Sequence, residues 1–208
     1  MSAQISTLFV TQLYRASLAH EKGFAALRDG LEDACLMLAD EDLAGQAWSA
    51  EKGYRGYTSY ASLDDLPIRA TEFGQLKRKL DKHVLAFSEA LHLDLRGHKL
   101  RLDSLWVNVL DPGGSHTGHI HPHSVISGTF YVNTPMGASA LKLEDPRLPL
   151  MMAAPPRAED APREHQTFIY EQPEAGTILL WESWLRHEVP PNAAETPRIS
   201  ISFNYGLG

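Results

Sequence analysis

The second half of the chain consists of short strand patterns separated by turns. Residues 100–110 alternate, with Trp106 and Asn108 on one face, and a period of two is the signature of a strand. A strong turn signal, Asp-Pro-Gly-Gly, follows at 111–114. Further strand patterns lie at 125–133, 140–143, 166–171, 177–181 and 199–205. Such a series predicts an antiparallel sandwich or jelly roll rather than a parallel sheet.

The first half of the chain is mainly helical in pattern. Residues 6–14 are rich in β-branched and aromatic residues and predict a strand. Apolar residues then recur every three or four positions over 17–40 and again over 71–93, which predicts two amphipathic helices. The Gly/Tyr/Ser-rich stretch 48–66 between them predicts an irregular connection. We expect the helices to brace the strands that follow.

The chain of 208 residues is long enough for one domain with a sizeable core. We expect a single domain over 1–208, of mainly β class with α. In it, the N-terminal strand and supporting helices of 1–95 pack on a β core of 96–208 that carries the functional site. A Pro/Ala-rich segment at 145–165 is a candidate to cover a substrate, because uncovered loops of that length are often functional.

The composition argues against a nucleic-acid partner and against a membrane span. The formal charge of -7 argues against nucleic acid, whose phosphates require a basic surface. No apolar run approaches the roughly 20 residues of a membrane span, and the first residues lack the pattern of a secretion signal. The single cysteine, Cys35, excludes an intrachain disulfide and fits a reducing compartment, so we expect a cytoplasmic protein. A homodimer is compatible with the sequence, which does not specify the oligomeric state.

A histidine-rich segment precedes the strand pattern at 125–133. His119 and His121 are two residues apart, so on a strand they would point the same way, with Ile120 towards the core. His187 follows an apolar strand and could meet them from a facing sheet. Because imidazole binds iron, zinc, copper and nickel, the three histidines predict a metal site without naming the metal.

Other polar residues near these histidines have simpler explanations. His116 and His123 fit a solvated polar turn, since most surface histidines carry no role. Glu144 and Asp145 could in principle add a carboxylate to the metal, but we interpret both as structural or loop residues.

The last strand pattern carries a row of polar residues. Arg198, Ser200, Ser202 and Asn204 alternate with apolar residues, so the row faces either solvent or a polar cavity. Arg198 and Ser200 would offer a forked guanidinium and a hydroxyl to one carboxylate. A keto acid that chelates a metal at one end would need its far carboxylate held in this way.

Two further residues could contact the same ligand. Tyr131 shares a strand face with Thr129 and Asn133, and its hydroxyl could make a second hydrogen bond to the acid. A packed strand tyrosine is an equally good interpretation. Asn108, on the same face as Trp106, could contact the cosubstrate or the substrate.

The motifs in residues 100–206 resemble the double-stranded β-helix core of the iron(II)/2-oxoglutarate-dependent dioxygenases. The resemblance is closest to a bacterial branch with an H-x-H…H…R-x-S pattern. It rests on His119-x-His121, the Ser-Gly-Thr-Phe-Tyr-Val-Asn run at 127–133, Gly176…His187 and Arg198-x-Ser200.

The resemblance implies a jelly roll braced by N-terminal helices, with Fe(II) as metal and 2-oxoglutarate as cosubstrate. It implies that His119 and His187 bind iron, that Arg198 and Ser200 hold the cosubstrate carboxylate, and that Tyr131 assists. The implied reaction is hydroxylation of an unknown small molecule or protein side chain. His121 departs from the pattern of the superfamily, most of whose members have Asp or Glu at this position. The implied ferrous site therefore has one negative charge fewer than the usual site with a carboxylate ligand.

Two alternatives remain open at this point. A cupin-like metalloenzyme could use the same three histidines without a keto acid, with Arg198 binding substrate instead. A jelly-roll binding module could carry its histidines incidentally. Fold-level similarity alone does not decide among these functions.

Overall fold

The structure is a computed structural model and describes residues 2–208. Ten strands lie within these residues. They are β1 (Leu13–Ser17), β2 (Gly56–Thr58), β3 (Leu100–Leu110), β4 (His116–His119), β5 (Ile126–Asn133), β6 (Leu141–Glu144), β7 (Phe168–Glu171), β8 (Thr177–Glu182), β9 (His187–Val189) and β10 (Arg198–Leu207).

The helices lie mostly in the first half of the chain, as the sequence predicts. They are α1 (Phe24–Glu41), α2 (Leu43–Glu51), α3 (Leu66–Arg69) and α4 (Thr71–Ala90). Two short 3-10 turns, Leu148–Leu150 and Arg163–His165, lie in the Pro/Ala-rich segment. No helix within residues 2–208 is long and apolar enough to cross a membrane.

The strands form two antiparallel sheets that face each other. The larger has the order β1-β8-β5-β10-β3-β2 and the smaller the order β4-β9-β6-β7. Between the sheets, Leu179 and Trp181 of β8 pack with Leu141 and Leu143 of β6. This arrangement is the jelly roll that the sequence predicts.

The apolar face of the larger sheet is its outer face, and it packs against the helices. Ile201 and Phe203 of β10 are fully buried there in one cluster with Leu31 of α1 and Leu76 of α4. The alternation of β10 therefore places its polar row on the inner face, towards the smaller sheet. Of the two interpretations of that row, the polar cavity is correct.

Two local predictions for the first half of the chain are wrong. Residues 6–12 are exposed and outside any strand, because only 13–17 find a partner, in β8. The stretch 48–66 is not irregular throughout, since it contains the end of α2 and the edge strand β2, which pairs with β3. Both β1 and β2 join the larger sheet, so residues before 95 complete the sandwich.

Candidate functional site

Three histidines converge at one end of the space between the sheets. His119 ends β4 and lies directly opposite His187, the first residue of β9, in antiparallel register. His121 follows in a turn, where its backbone N–H donates to the carbonyl of Ser183 at 3.0 Å. Each histidine offers a ring nitrogen within 4.8 Å of those of the other two, a group that could hold a metal ion.

His121 reaches this cluster in a different way from that predicted. Strand β4 stops at His119, and the side chain of Ile120 is 44% exposed instead of facing the core. The turn after the strand, rather than strand alternation, therefore brings His121 beside His119, with their ring centroids 5.0 Å apart.

Backbone carbonyls orient two of the rings. Nδ1 of His119 lies 2.7 Å from the carbonyl oxygen of Thr117, and Nδ1 of His187 lies 2.9 Å from that of Leu185. A carbonyl can only accept, so each Nδ1 carries the proton and each neutral ring keeps an Nε2 lone pair. Such second hydrogen bonds commonly fix the tautomer of metal-ligating histidines.

Burial keeps two of the three rings uncharged. Burial, followed by the proximity of His119, lowers the pKa of His187 to about 3 and that of His121 to about 4. Neutral imidazole is the form that binds metals. The donor set, its tautomers and its protonation therefore fit a divalent metal such as iron.

Arg198 and Tyr131 form a second polar centre in the same space. Arg198 is 2% exposed, and its guanidinium carbon lies 4.9 Å from the centroid of the Tyr131 ring. Its Nε and the fully buried Tyr131 hydroxyl have no hydrogen-bond partner. Within residues 2–208 no carboxylate lies within ion-pair distance of Arg198. A buried charge without a partner is costly, so this centre is suited to an anionic ligand.

The two centres share one cleft. It is an open space of about 460 Å³ whose lining includes His119, His121 and His187 together with Arg198 and Ser200. Ser200 is buried beside Arg198 on the inner face of β10. A ligand in the cleft could therefore contact the histidines at one end and the guanidinium at the other.

Asn108 also lines the cleft, but its amide is already bonded. The Thr58 hydroxyl donates to its oxygen at 3.0 Å, and its nitrogen donates to the Ser202 hydroxyl at 3.1 Å. The side chain therefore ties β2, β3 and β10 together behind the cleft.

Three other polar residues are absent from the cleft. Asn133 donates to Glu32 of α1 at 2.6 Å, on the outer side of the sheet, so it does not share the face of Tyr131 as predicted. A register shift in the β5–β10 pairing between Ile199 and Ser200 separates the two residues. Glu144 and Asp145 pair with arginines elsewhere, which agrees with their structural interpretation.

Two residues at or beside the cleft, His116 and Tyr54, have no role in the sequence prediction. His116 lines the cleft, and its Nε2 lies 2.9 Å from the Tyr54 hydroxyl. A register shift in the β4–β9 pairing between His116 and His119 allows both to face inwards although they are three residues apart. The interpretation of His116 as part of a solvated turn is therefore wrong.

The sequence itself matches a known family over this part of the chain. Residues 104–204 match the family described as "Putative 2OG-Fe(II) oxygenase". This family uses Fe(II) and 2-oxoglutarate, and the matched segment contains all three histidines of the cluster as well as Arg198. The resemblance inferred from the motifs is confirmed.

Solved structures share the fold of the matched segment and of the N-terminal elements that precede it. A prolyl-4-hydroxylase from Pseudomonas putida is 16% identical, with a TM-score of 0.59 over 94% of this chain and 92% of that one. AviO1 from Streptomyces viridochromogenes is 15% identical, with a TM-score of 0.58 over 94% and 90%. HygX from Streptomyces hygroscopicus, solved with nickel and 2-oxoglutarate bound, is 13% identical, with a TM-score of 0.58 over 94% and 82%. No curated protein sequence matches the chain.

Proposed function

We propose that the chain is an Fe(II)/2-oxoglutarate-dependent dioxygenase that hydroxylates a C–H bond of its substrate. The observation that carries this proposal is the pair of centres in one cleft. Three histidines lie at one end, and the buried guanidinium of Arg198 without a carboxylate partner lies at the other. A short dicarboxylic keto acid needs both, because one end chelates the metal and the other carries a second negative charge.

His119, His121 and His187 are the proposed metal ligands. The Nδ1 hydrogen bonds of His119 and His187 support Nε2 coordination at those two residues. Bound ferrous iron would supply the activation of dioxygen. The chain's own contribution is to hold the three rings in place and, through burial, to keep His121 and His187 deprotonated.

Arg198 and Ser200 are the proposed partners of the far carboxylate of 2-oxoglutarate, with Tyr131 as a further donor. The guanidinium can bind a carboxylate through two parallel hydrogen bonds. Ser200 and Tyr131 are both buried, and within residues 2–208 the Tyr131 hydroxyl has no hydrogen-bond partner that would compete. Asn108 is proposed to support this pocket, since its amide holds Ser202 on the strand that carries Arg198.

The overall reaction conserves atoms and electrons. 2-Oxoglutarate loses its C1 carboxylate as carbon dioxide and becomes succinate, while a C–H bond of the substrate becomes C–OH. One oxygen atom of dioxygen enters succinate and the other enters the alcohol. Dioxygen accepts four electrons, two from the keto acid and two from the C–H bond.

Two observations weigh against the alternatives. A cupin-like enzyme would use Arg198 for its substrate, but residues 104–204 match a family that uses 2-oxoglutarate. A binding module without a metal gives no reason for three imidazoles whose ring nitrogens converge. The substrate class, a small molecule or a protein side chain, is not specified by this geometry.

The proposal can be tested by succinate formation under single-turnover conditions, with stoichiometric iron-loaded protein, 2-oxoglutarate and dioxygen. We expect succinate from the wild type, and none above background from His119→Ala or from Arg198→Met, which keeps an unbranched apolar side chain but removes the charge. His98→Leu, at an exposed position between α4 and β3, is the control. Bound iron without any succinate would contradict the proposal and favour the cupin-like enzyme.

A further inference from the structure

His116 lines the cleft and pairs with Tyr54, and neither residue has a part in the proposed function. The two rings meet edge to face with centroids 5.0 Å apart, and Nε2 of His116 lies 2.9 Å from the Tyr54 hydroxyl. Tyr54 comes from the segment just before β2, and His116 begins β4. Two distant parts of the chain therefore meet at this hydrogen bond.

The hydrogen bond determines which nitrogen of His116 carries the proton. Within residues 2–208, Nε2 of His116 is the one partner of the Tyr54 hydroxyl. A phenol that has a single basic partner donates its proton to it, so Nε2 accepts and the proton of the neutral ring lies on Nδ1. Nδ1 has no protein partner in the described part of the chain, and His116 lines the cleft. His116 thus presents an unused N–H donor to the cleft.

We propose that His116 donates its Nδ1–H to the far carboxylate of the bound keto acid, beside Arg198, and that Tyr54 is a positioning residue that fixes this tautomer. The inference rests on the proposed function and adds to it a donor from the smaller sheet, opposite Arg198 and Tyr131 on the larger sheet.

The charges in the cleft explain why a neutral donor suits this position. Burial, then the positive charge of Arg198, then His119 lower the pKa of His116 to about 3. Burial also raises the pKa of Tyr54, while the Arg198 charge opposes that rise. A second cation beside Arg198 would be repelled, whereas a neutral N–H adds attraction for an anion without that repulsion.

The number of donors also fits one carboxylate. An ionised carboxylate has about four lone-pair sites. The guanidinium fork of Arg198 can fill two of them, and the Tyr131 hydroxyl a third. The Nδ1–H of His116 would fill the remaining site, which Ser200 could share.

The test is anaerobic titration of iron-loaded protein with 2-oxoglutarate, followed by the visible charge-transfer band of the chelate. We expect His116→Leu to raise the Kd about tenfold, as the loss of a hydrogen bond to a charged group does. Tyr54→Phe should raise it by a smaller factor, because the tautomer is released but the ring remains. His116→Asn should restore most of the affinity, since its amide can donate from near the Nδ1 position. His98→Leu should match the wild type, and iron binding should be unchanged throughout.

A second readout does not depend on the variants folding well. Nitrogen-15 chemical shifts of the His116 ring in the metal-free wild type should report the Nδ1–H tautomer, and Tyr54→Phe should move them towards Nε2–H. Wild-type protein that binds iron but shows no band would overturn the proposed function together with this inference. A normal wild-type band with an unchanged Kd in His116→Leu, or an Nε2–H tautomer in the wild type, would overturn this inference alone.

Discussion

Nε2 of His121 and Nε2 of His187 lie 3.2 Å apart, with their rings nearly parallel at 10°. One nitrogen belongs to a turn after β4 and the other to β9. Nε2 of His187 has a lone pair, because its Nδ1 donates to the Leu185 carbonyl. Nε2 of His121 therefore either donates a proton to it or binds the same metal ion, and the second arrangement is the one that the proposed function requires.

Loss of one ring should therefore remove the metal. We expect the wild type to bind iron stoichiometrically under anaerobic conditions, and His187→Ala to lose more than about tenfold in iron affinity, in keeping with metal sites generally. Metal analysis after gel filtration measures this. His98→Ala is the matched control at an exposed position, and stoichiometric iron in His187→Ala would show that the metal lies elsewhere.

Replacement of His121 tests whether this position needs a histidine or only a ligand. We expect His121→Asp to retain iron, because a carboxylate is also a good ligand for Fe(II), and His121→Ala to lose it. Iron titration of both variants gives the comparison. Equal iron binding by His121→Ala and the wild type would exclude His121 from the coordination shell.

The contact between the sheet and its supporting helix should contribute measurably to stability. The hydroxyl of Tyr205, in β10, donates to Asp81 of α4 at 2.8 Å, and the Tyr205 side chain is fully buried. Tyr205→Phe should lower the free energy of unfolding by about 1 kcal/mol. Chemical denaturation tests this, with Tyr170→Phe, which removes the hydroxyl of a half-exposed tyrosine, as control. An equal effect of both substitutions would contradict this role.

Asp42 should make stability depend on pH in the acid range. Burial favours a raised pKa for its carboxyl, but hydrogen bonds from the Ser62 hydroxyl, the Gly45 amide and the Tyr57 hydroxyl hold the pKa below its ordinary value of 3.8. The stabilisation is therefore present above pH 3.8 and is lost as the pH falls through the lower folded-state value.

Asp42→Asn should accordingly cost about 1 kcal/mol at pH 7, where the charged acceptor is lost. The difference from the wild type should shrink as the pH falls below about 4. Denaturation curves of both proteins at pH 7, 5 and 3 measure this. A difference that stays constant over that range would show that the carboxylate charge does not contribute.

The parts of the site that follow strand alternation could be predicted from the sequence. The period of two in β10 places Arg198 and Ser200 on the same face of the strand. The alternating apolar residues must then pack on the opposite, outer face. The spacing of His119 and His121 and the position of His187 after an apolar strand also indicate the metal cluster, although a turn and not strand alternation brings His121 into it.

The parts that depend on irregular pairing could not be predicted. A register shift in the β4–β9 pair brings His116 into the cleft, and another in the β5–β10 pair takes Asn133 out of it. Such shifts have no clear sequence signature, because the extra residue is left unpaired between the two strands and can be of many types. Tyr54 was missed for a related reason, since the three-residue strand after it is too short to show a period.

The central claim is that Arg198 holds the far end of a keto acid whose near end binds the metal. Anaerobic titration of iron-loaded protein with 2-oxoglutarate tests it most directly, with Arg198→Met as the variant. We predict a visible charge-transfer band in the wild type, and at least a hundredfold weaker affinity, about 3 kcal/mol, in the variant with iron binding unchanged. A wild type that binds iron and gives no band, or a variant with the wild-type Kd, would contradict the claim.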